Sequence, residues 1–221
     1  LELSSAASDV YKRQVITCVD RDDLPDGGAA IWAETIERVH EACPDTSVEC
    51  LIGDHQGRHD ELDTIIAAKP EILSHNMETV RRMHPAVRPQ ARYERSIDVL
   101  QHIRESGLVT KTGIMVGIGE RDDEVFELMQ DLRDAADIHI LTVGQYLQPT
   151  RNHLPIDRWV TPESFDQYRE SGLKLGFSVV ESGPLVRSSY HAEEQAAKLS
   201  PTQRLALIHI SEPTRRLGLS Y

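Results

Sequence analysis

The feature of this sequence that most restricts its fold is a regular alternation of short apolar runs with amphipathic segments over residues 15–180. Short apolar runs are typical of buried strands, and the segments between them carry apolar side chains at helical spacing. Strands that alternate with helices in this way form parallel sheets, because each helix returns the chain to the same end of the sheet. The sequence therefore predicts an α/β fold built from consecutive βα units.

The boundaries of these units follow from the apolar runs and from local helix signals. Pro70 ends one helix, since the residue before a proline avoids α geometry, and Thr161 with Pro162 gives another helix a hydroxyl cap and a proline in its first turn. Strands are predicted over 15–19, 47–52, 71–74, 110–116, 138–143 and 177–180, and helices over 31–41, 61–68, 93–105, 124–136 and 162–175.

Polar or glycine-containing segments follow four of the predicted strands, at residues 20–28, 75–78, 117–120 and 145–151. The carboxyl ends of parallel strands meet at one edge of a sheet or barrel, where the following loops present polar groups to a ligand. The sequence therefore predicts one shared pocket lined by these segments.

Composition excludes several other classes of protein. The 221 residues are 39% hydrophobic, which suffices for one domain with a packed core. A formal net charge of −12 argues against nucleic acid or an anionic membrane as a partner. The three cysteines form no disulfide pattern, and no apolar run reaches membrane-spanning length. We therefore expect a cytoplasmic protein with no membrane span.

Five segments, in order, carry a family resemblance. The last is Arg187-Ser188-Ser189-Tyr190, and the others are residues 17–29, 74–79, 111–120 and 144–151. Together they resemble the corresponding segments of lipoyl synthases, which are radical S-adenosylmethionine (SAM) enzymes. The resemblance covers residues 15–197 and implies a partial TIM-type (β/α)6 barrel that lacks its first strand.

The resemblance also implies an activity. Lipoyl synthases use two SAM molecules, cleaved reductively to 5′-deoxyadenosyl radicals, to insert two sulfurs at C6 and C8 of an octanoyl group carried on a protein. The intact enzyme holds two [4Fe–4S] clusters, one of which supplies the sulfur. The implied partner is an octanoylated lipoyl carrier domain or H protein.

Several residues are assigned to SAM by the same resemblance. Gly27 and Gly28 match the glycine motif that binds the SAM amino group, with a simple turn as the alternative. Asn76 and Glu78 match the ribose-binding pair, with helix capping as the alternative for Asn76. For the adenine, the motif Gly113-x-x-x-Gly117-x-x-Glu120 implies backing by apolar side chains such as Met115, and Tyr146 and Leu147 complete the site through backbone groups.

Individual roles can be given to Lys111 and Ser188. Lys111 shares a strand face with Gly113 and Met115, so its charge needs an anionic partner, either the SAM carboxylate or a buried acid. Ser188 is the implied iron ligand of the second cluster, with Ser189 as the alternative. Asp22, Asp23, Arg88, Gln148 and His153 are candidates for lining the acyl-protein channel, and the sequence does not separate them from surface polar residues.

The cysteines limit how much chemistry this chain can perform. A radical SAM cluster is held on a CxxxCxxC loop, whereas Cys18, Cys43 and Cys50 lie 25 and 7 residues apart. We therefore expect the chain as given to be inactive. Residues 1–14 and 198–221 match nothing in the family and are expected to be non-native tails, with divergent native extensions as the alternative.

Two further functions remain open at the level of sequence. One is a SAM-binding barrel without catalysis. The other is an aldolase-type barrel in which Lys111 forms a Schiff base. The missing cysteine loop is compatible with both, and the Arg-Ser-Ser-Tyr segment argues against the aldolase.

Overall fold

A computed structural model describes residues 13–188 and Leu199 of the chain. Six strands form one sheet in the order β1 to β6, and every neighbouring pair is parallel. The sheet follows the order of the sequence and does not close among the described residues, which is the arrangement of a partial barrel. The strands are β1 (Arg13–Thr17), β2 (Ser47–Leu51), β3 (Ile72–Ser74), β4 (Val109–Val116), β5 (Ile140–Gln145) and β6 (Val179–Gly183).

Helices connect the strands, as the alternating pattern predicts. A single 3₁₀ turn at His55–Gly57 and a four-residue helix are two elements that the apolar pattern did not indicate, since both are too short to carry a periodic signal. The helices are α1 (Ala29–Ala42), α2 (His59–Ala67), α3 (His84–Val87), α4 (Tyr93–Glu105), α5 (Asp122–Ala136) and α6 (Pro162–Leu175).

The two faces of the sheet differ in what they contact. Alternate strand residues such as Val48, Cys50 and Leu73 pack against the helices in one apolar cluster, and the later strands do the same in a second cluster. The residues between them face the interior of the half-barrel, because successive strand side chains point to opposite sides. The helices thus shield one face of the sheet, and the other face is available to build a site.

An apolar layer closes the lower part of the barrel interior. Ile72, Val109, Ile140 and Val179 come from four adjacent strands and pack together with Leu199. All five are at most 2% exposed. Inward residues further along the same strands therefore lie nearer to the carboxyl ends, where the loops meet.

The predicted first strand was misplaced by two residues, because the apolar run continues past the point where pairing ends. β1 pairs with β2 from Arg13 to Thr17, whereas Val19 is 77% exposed. The expected boundary between residues 14 and 15 consequently falls inside a strand. Most of the two predicted tails lies outside the described residues. Within the part of the chain that the structure describes, no helix has the length and apolar character needed to cross a membrane.

Candidate functional site

A cavity of about 370 Å³ opens where the carboxyl-terminal halves of β4 and β5 meet the loop after β6. Its volume is in the range of small-molecule sites. The segment after β3 and the loop after β6 form opposite parts of its wall. The lining residues are Asn76, Glu78, Gly113, Ile114, Met115, Thr142, Gly144, Gln145, Leu147, Val186, Arg187 and Ser188.

Two glycines in the cavity wall allow close packing of neighbouring groups. A Cβ atom on Gly113 would lie 2.6 Å from Thr142 Oγ1 and 3.0 Å from Asn76 Oδ1. A Cβ atom on Gly144 would overlap the Val186 carbonyl oxygen, so any larger residue would displace the loop after β6. The lack of a Cβ at these two positions thus lets Asn76 pack against β4 and the loop after β6 pack against β5, which brings the walls of the cavity together.

Asn76 connects the two sides of the cavity. Its Nδ2 donates to Glu78 Oε1 at 3.1 Å and to Ser188 Oγ at 3.2 Å. Glu78 itself has φ of 65°, a left-handed conformation that is uncommon for a glutamate, and its backbone bridges to β4 through both Gly113 and Met115. The strained backbone is held by this pairing and directs the carboxylate into the cavity.

The carboxylate of Glu78 is poised to accept hydrogen bonds. Removal from water raises the pKa of Glu78 above its usual range, and the hydrogen bond from Asn76 opposes that shift. A carboxylate with unused acceptor sites on a cavity wall suits a ligand with two adjacent hydroxyl groups.

Lys111 lies beneath this cavity rather than on its wall. Its Nζ donates to Glu49 Oε1 at 2.7 Å, and both side chains are 1% exposed. Of the two partners considered for this lysine, the structure contains the buried acid. The pairing and the burial also leave no accessible amine for a Schiff base, which counts against the aldolase interpretation.

The residues that line this cavity do not include Gly27 and Gly28, which were expected to share it with Asn76 and Glu78. Gly27 adopts φ of 59° beside His55 and Glu61, and Gly28 precedes α1 with φ of 84°. The Gly28 N–H donates to Asp26 Oδ1 at 3.0 Å. These glycines form the turn into α1, and the sequence pattern alone did not distinguish that turn from a ligand loop.

Tyr146 and Leu147 differ in their position relative to the cavity. The Tyr146 N–H donates to the Val116 carbonyl and its carbonyl accepts from Gln145, so both backbone groups already have partners. Its hydroxyl donates to the Leu154 carbonyl at 2.8 Å. Leu147 lines the cavity, as does Met115, whereas Tyr146 does not.

The residues considered for the acyl-protein channel do not all lie in one place. Asp22 and Arg88 line a second cavity of about 490 Å³, and Arg88 also donates to the Asn76 carbonyl at 3.0 Å. Asp23 pairs with Arg21, and Gln148 donates to the His153 carbonyl at 2.9 Å. Ser189 and Tyr190 lie outside the described residues.

Sequence reasoning gave no role to Thr142 and Gly144, which line the cavity, or to Glu49, which lies beneath it. Glu49 had a usable signal, since it stands between Val48 and Cys50 in a strand and must face the opposite side from them. Gly144 is a glycine inside a strand, which often marks a close backbone approach.

The described residues do not supply the ligand set of a [4Fe–4S] cluster. Within residues 13–188 and Leu199, no three histidine, cysteine or acidic side chains converge on a point that could hold a metal. Cys18 and Cys43 are exposed, and Cys50 is buried against the helices, where loss of hydration raises the pKa of its thiol. The described residues that line the cavity therefore include no such group of metal-binding side chains.

Comparison with known proteins supports the same fold and family. The sequence profile of the Radical SAM superfamily matches residues 5–132. The lipoyl synthase of Parabacteroides distasonis is 57% identical over 183 residues, covering 83% of this chain and 65% of that protein. The lipoyl synthase of Flavobacterium johnsoniae is 53% identical over 184 residues, covering 83% and 64%. This chain thus spans less than two thirds of the length of these relatives.

Solved structures agree on the architecture. A domain of pyruvate-formate lyase-activating enzyme from Bacteroides vulgatus superposes with a TM-score of 0.56 at 11% identity, covering 76% of this chain and 98% of that one. At such low identity the likeness concerns the fold alone. With the profile match over more than half of its length and the parallel half-barrel described above, the chain belongs to the radical SAM superfamily.

Proposed function

We propose that this chain is the SAM-binding portion of a lipoyl synthase, and that the whole protein is a sulfurtransferase that inserts two sulfurs into a protein-bound octanoyl group. The observation that carries this proposal is the meeting of Asn76, Glu78 and Ser188 at one cavity, although Ser188 is 112 residues from Asn76. Identity of 57% to a named lipoyl synthase supports the substrate assignment.

The cavity residues have separate roles toward SAM. Glu78 accepts from the ribose hydroxyls and Asn76 orients that carboxylate. Gly113 and Gly144 let Asn76 and the loop after β6 pack close to the sheet as walls of the cavity, and Met115 and Leu147 offer apolar surface to the adenine. When bound, SAM supplies the adenosyl group for hydrogen abstraction.

The chain as given is proposed to bind SAM without turning it over, because the described residues hold no cluster ligand set and the sequence has no CxxxCxxC loop. The octanoylated lipoyl carrier domain or H protein, and the cytoplasmic location, remain predictions of the family resemblance and of the acidic charge.

Replacing Glu78 with Gln tests the SAM site. We expect SAM affinity, measured by titration calorimetry, to fall about 10- to 100-fold, since a hydrogen bond to a charged group is worth about 1.5–3 kcal/mol. Exposed Glu127→Gln is the matched control and should bind as the parent does.

Competition by nucleosides with and without the 2′-hydroxyl shows whether Glu78 contacts the ribose. The parent should prefer 5′-deoxyadenosine over 2′,5′-dideoxyadenosine, and Glu78→Gln should lose that preference because the carboxylate no longer reads the ribose diol. Equal affinity of the parent and Glu78→Gln for SAM would refute the ribose assignment.

Ser188 is proposed as the iron ligand of the sulfur-donating cluster. In a longer protein that carries the cysteine ligands of both [4Fe–4S] clusters, Ser188→Ala should retain SAM cleavage and lose lipoyl product by at least about tenfold, as measured by mass spectrometry of the carrier. Ser188→Cys should hold iron more tightly, because thiolate is the softer ligand. Full lipoyl formation by Ser188→Ala would show that the hydroxyl is not required, and a non-catalytic SAM-binding barrel would give no product with any variant.

A further inference from the structure

A buried ion pair crosses the interior of the half-barrel directly beneath the cavity. Glu49 is on β2 and Lys111 is on β4, 62 residues later, with β3 between them. Ser74 of β3 donates to Glu49 Oε1 at 3.4 Å. The pair therefore ties three adjacent strands together at the level just below the ligand cavity.

The same ammonium group reaches the loop that forms one wall of the cavity. Lys111 Nζ donates to the Ser188 backbone carbonyl at 2.5 Å, a contact between residues 77 apart in sequence. Val186, Arg187 and Ser188 are the part of this loop that lines the cavity. A lysine ammonium has three donors, so it can serve both the carboxylate and the carbonyl.

Besides Lys111, Asn76 donates to Ser188 Oγ at 3.2 Å, and Arg187 donates to the Val186 carbonyl within the loop. Val186 N–H donates to the Gly183 carbonyl at 3.1 Å, and Leu185 beside it is 76% exposed. The hydrogen bond from Lys111 is charge-assisted, which makes it stronger than a neutral hydrogen bond. Its donor belongs to a strand of the sheet.

We propose that Lys111 is a positioning residue that holds the loop 186–188 as a wall of the ligand cavity, with Glu49 orienting its ammonium group. The inference rests on the proposed function only for the identity of the ligand. It assigns to this lysine neither contact with the SAM carboxylate nor covalent chemistry.

The test compares three forms of the full 221-residue chain by hydrogen exchange and mass spectrometry. Lys111→Met alone leaves the buried Glu49 with only the more distant Arg13, at 3.9 Å, and is prone to misfold, so Glu49→Gln combined with Lys111→Met carries the test. This double variant removes both charges and keeps a polar group near Ser74. Exchange at the Val186 amide reports on the loop, and exchange within β4 reports on the sheet.

We expect the double variant to keep parental exchange in β4 while the loop amide exchanges on the order of tenfold faster. Glu170→Gln with Lys174→Met is the matched control, because it removes an exposed pair with the same charges and should leave the loop unchanged. Parental protection of the loop in the double variant would overturn the inference, since the ion pair would then stabilise the sheet alone.

Titration with SAM separates this inference from the proposed function. If the parent binds SAM, the double variant should bind about tenfold or more weakly; unchanged affinity would contradict the positioning role. If the parent does not bind SAM, the proposed function is wrong, and faster loop exchange in the double variant still supports the positioning role.

Discussion

Between pH 6.5 and about 4 the chain is expected to lose several kcal/mol of folding free energy, because two buried histidines must stay neutral. Burial, with a smaller contribution from the nearby Arg88 charge, lowers the pKa of His75 to about 4. Burial and Arg104 lower the pKa of His139 to about 4 as well. His139 Nδ1 accepts from the Thr110 backbone N–H at 3.1 Å, which a protonated nitrogen cannot do.

The direction in which stability changes with pH follows from proton linkage. Both folded-state pKa values lie below the ordinary histidine value of about 6.5, so the unfolded chain takes up protons first as the pH falls. The stability is fully present above pH 6.5 and is lost progressively down to about pH 4. A shift of this size corresponds to about 3 kcal/mol for each histidine.

Denaturant unfolding at a series of pH values measures this loss. His139→Asn keeps an acceptor near Thr110 without a titrating group, so its stability should fall less steeply over the same range. Exposed His153→Asn is the control and should follow the parent. If stability between pH 7 and 4.5 were flat, the two histidines would not be held neutral by the fold.

Lys111→Met is expected to lower the free energy of unfolding by about 3 kcal/mol, because the buried Glu49 carboxylate loses its hydrogen-bonded cation and keeps only Arg13, whose Nη1 lies 3.9 Å from Glu49 Oε2. Adding Glu49→Gln should recover part of that loss, since it removes the remaining buried carboxylate and its desolvation cost, while Arg13 loses its contact with Glu49. Urea denaturation at neutral pH measures both variants.

A loss of unfolding free energy below about 1 kcal/mol in Lys111→Met would contradict a large contribution from the buried pair. Losses of that size are typical of exposed ion pairs. The surface variant Lys174→Met, from a pair with both side chains more than half exposed, should change stability by less than about 1 kcal/mol and serves as the reference.

Much of the fold could be predicted from the sequence because its signals are local. Helix α4 begins at Tyr93 and ends at Glu105 as predicted, and α6 runs from Pro162 to Leu175 between a threonine cap and Gly176 in the left-handed conformation. Apolar spacing and caps act over a few residues, so they can be read without knowing the tertiary structure. The first strand was displaced, since its end depends on pairing with β2.

Part of the site could be predicted for a related reason. Asn76, Glu78, Met115 and Leu147 follow or end predicted strands, and parallel strands bring such residues to one edge. Gly27 and Gly28 also follow a strand, yet they form the turn into α1, because a glycine pair has the same local pattern in a turn and in a ligand loop.

The sequence by itself determined the parallel βα order, the ends of α4 and α6 and the edge at which the cavity forms, since these depend on spacing and caps within short segments. Tertiary structure decided the partner of Lys111, the neutral state of His139 and the closeness of Ser188 to Asn76. Each of these depends on strand register and loop position between residues far apart in sequence. No local sequence pattern determines which distant residues come into contact or how deeply they are buried.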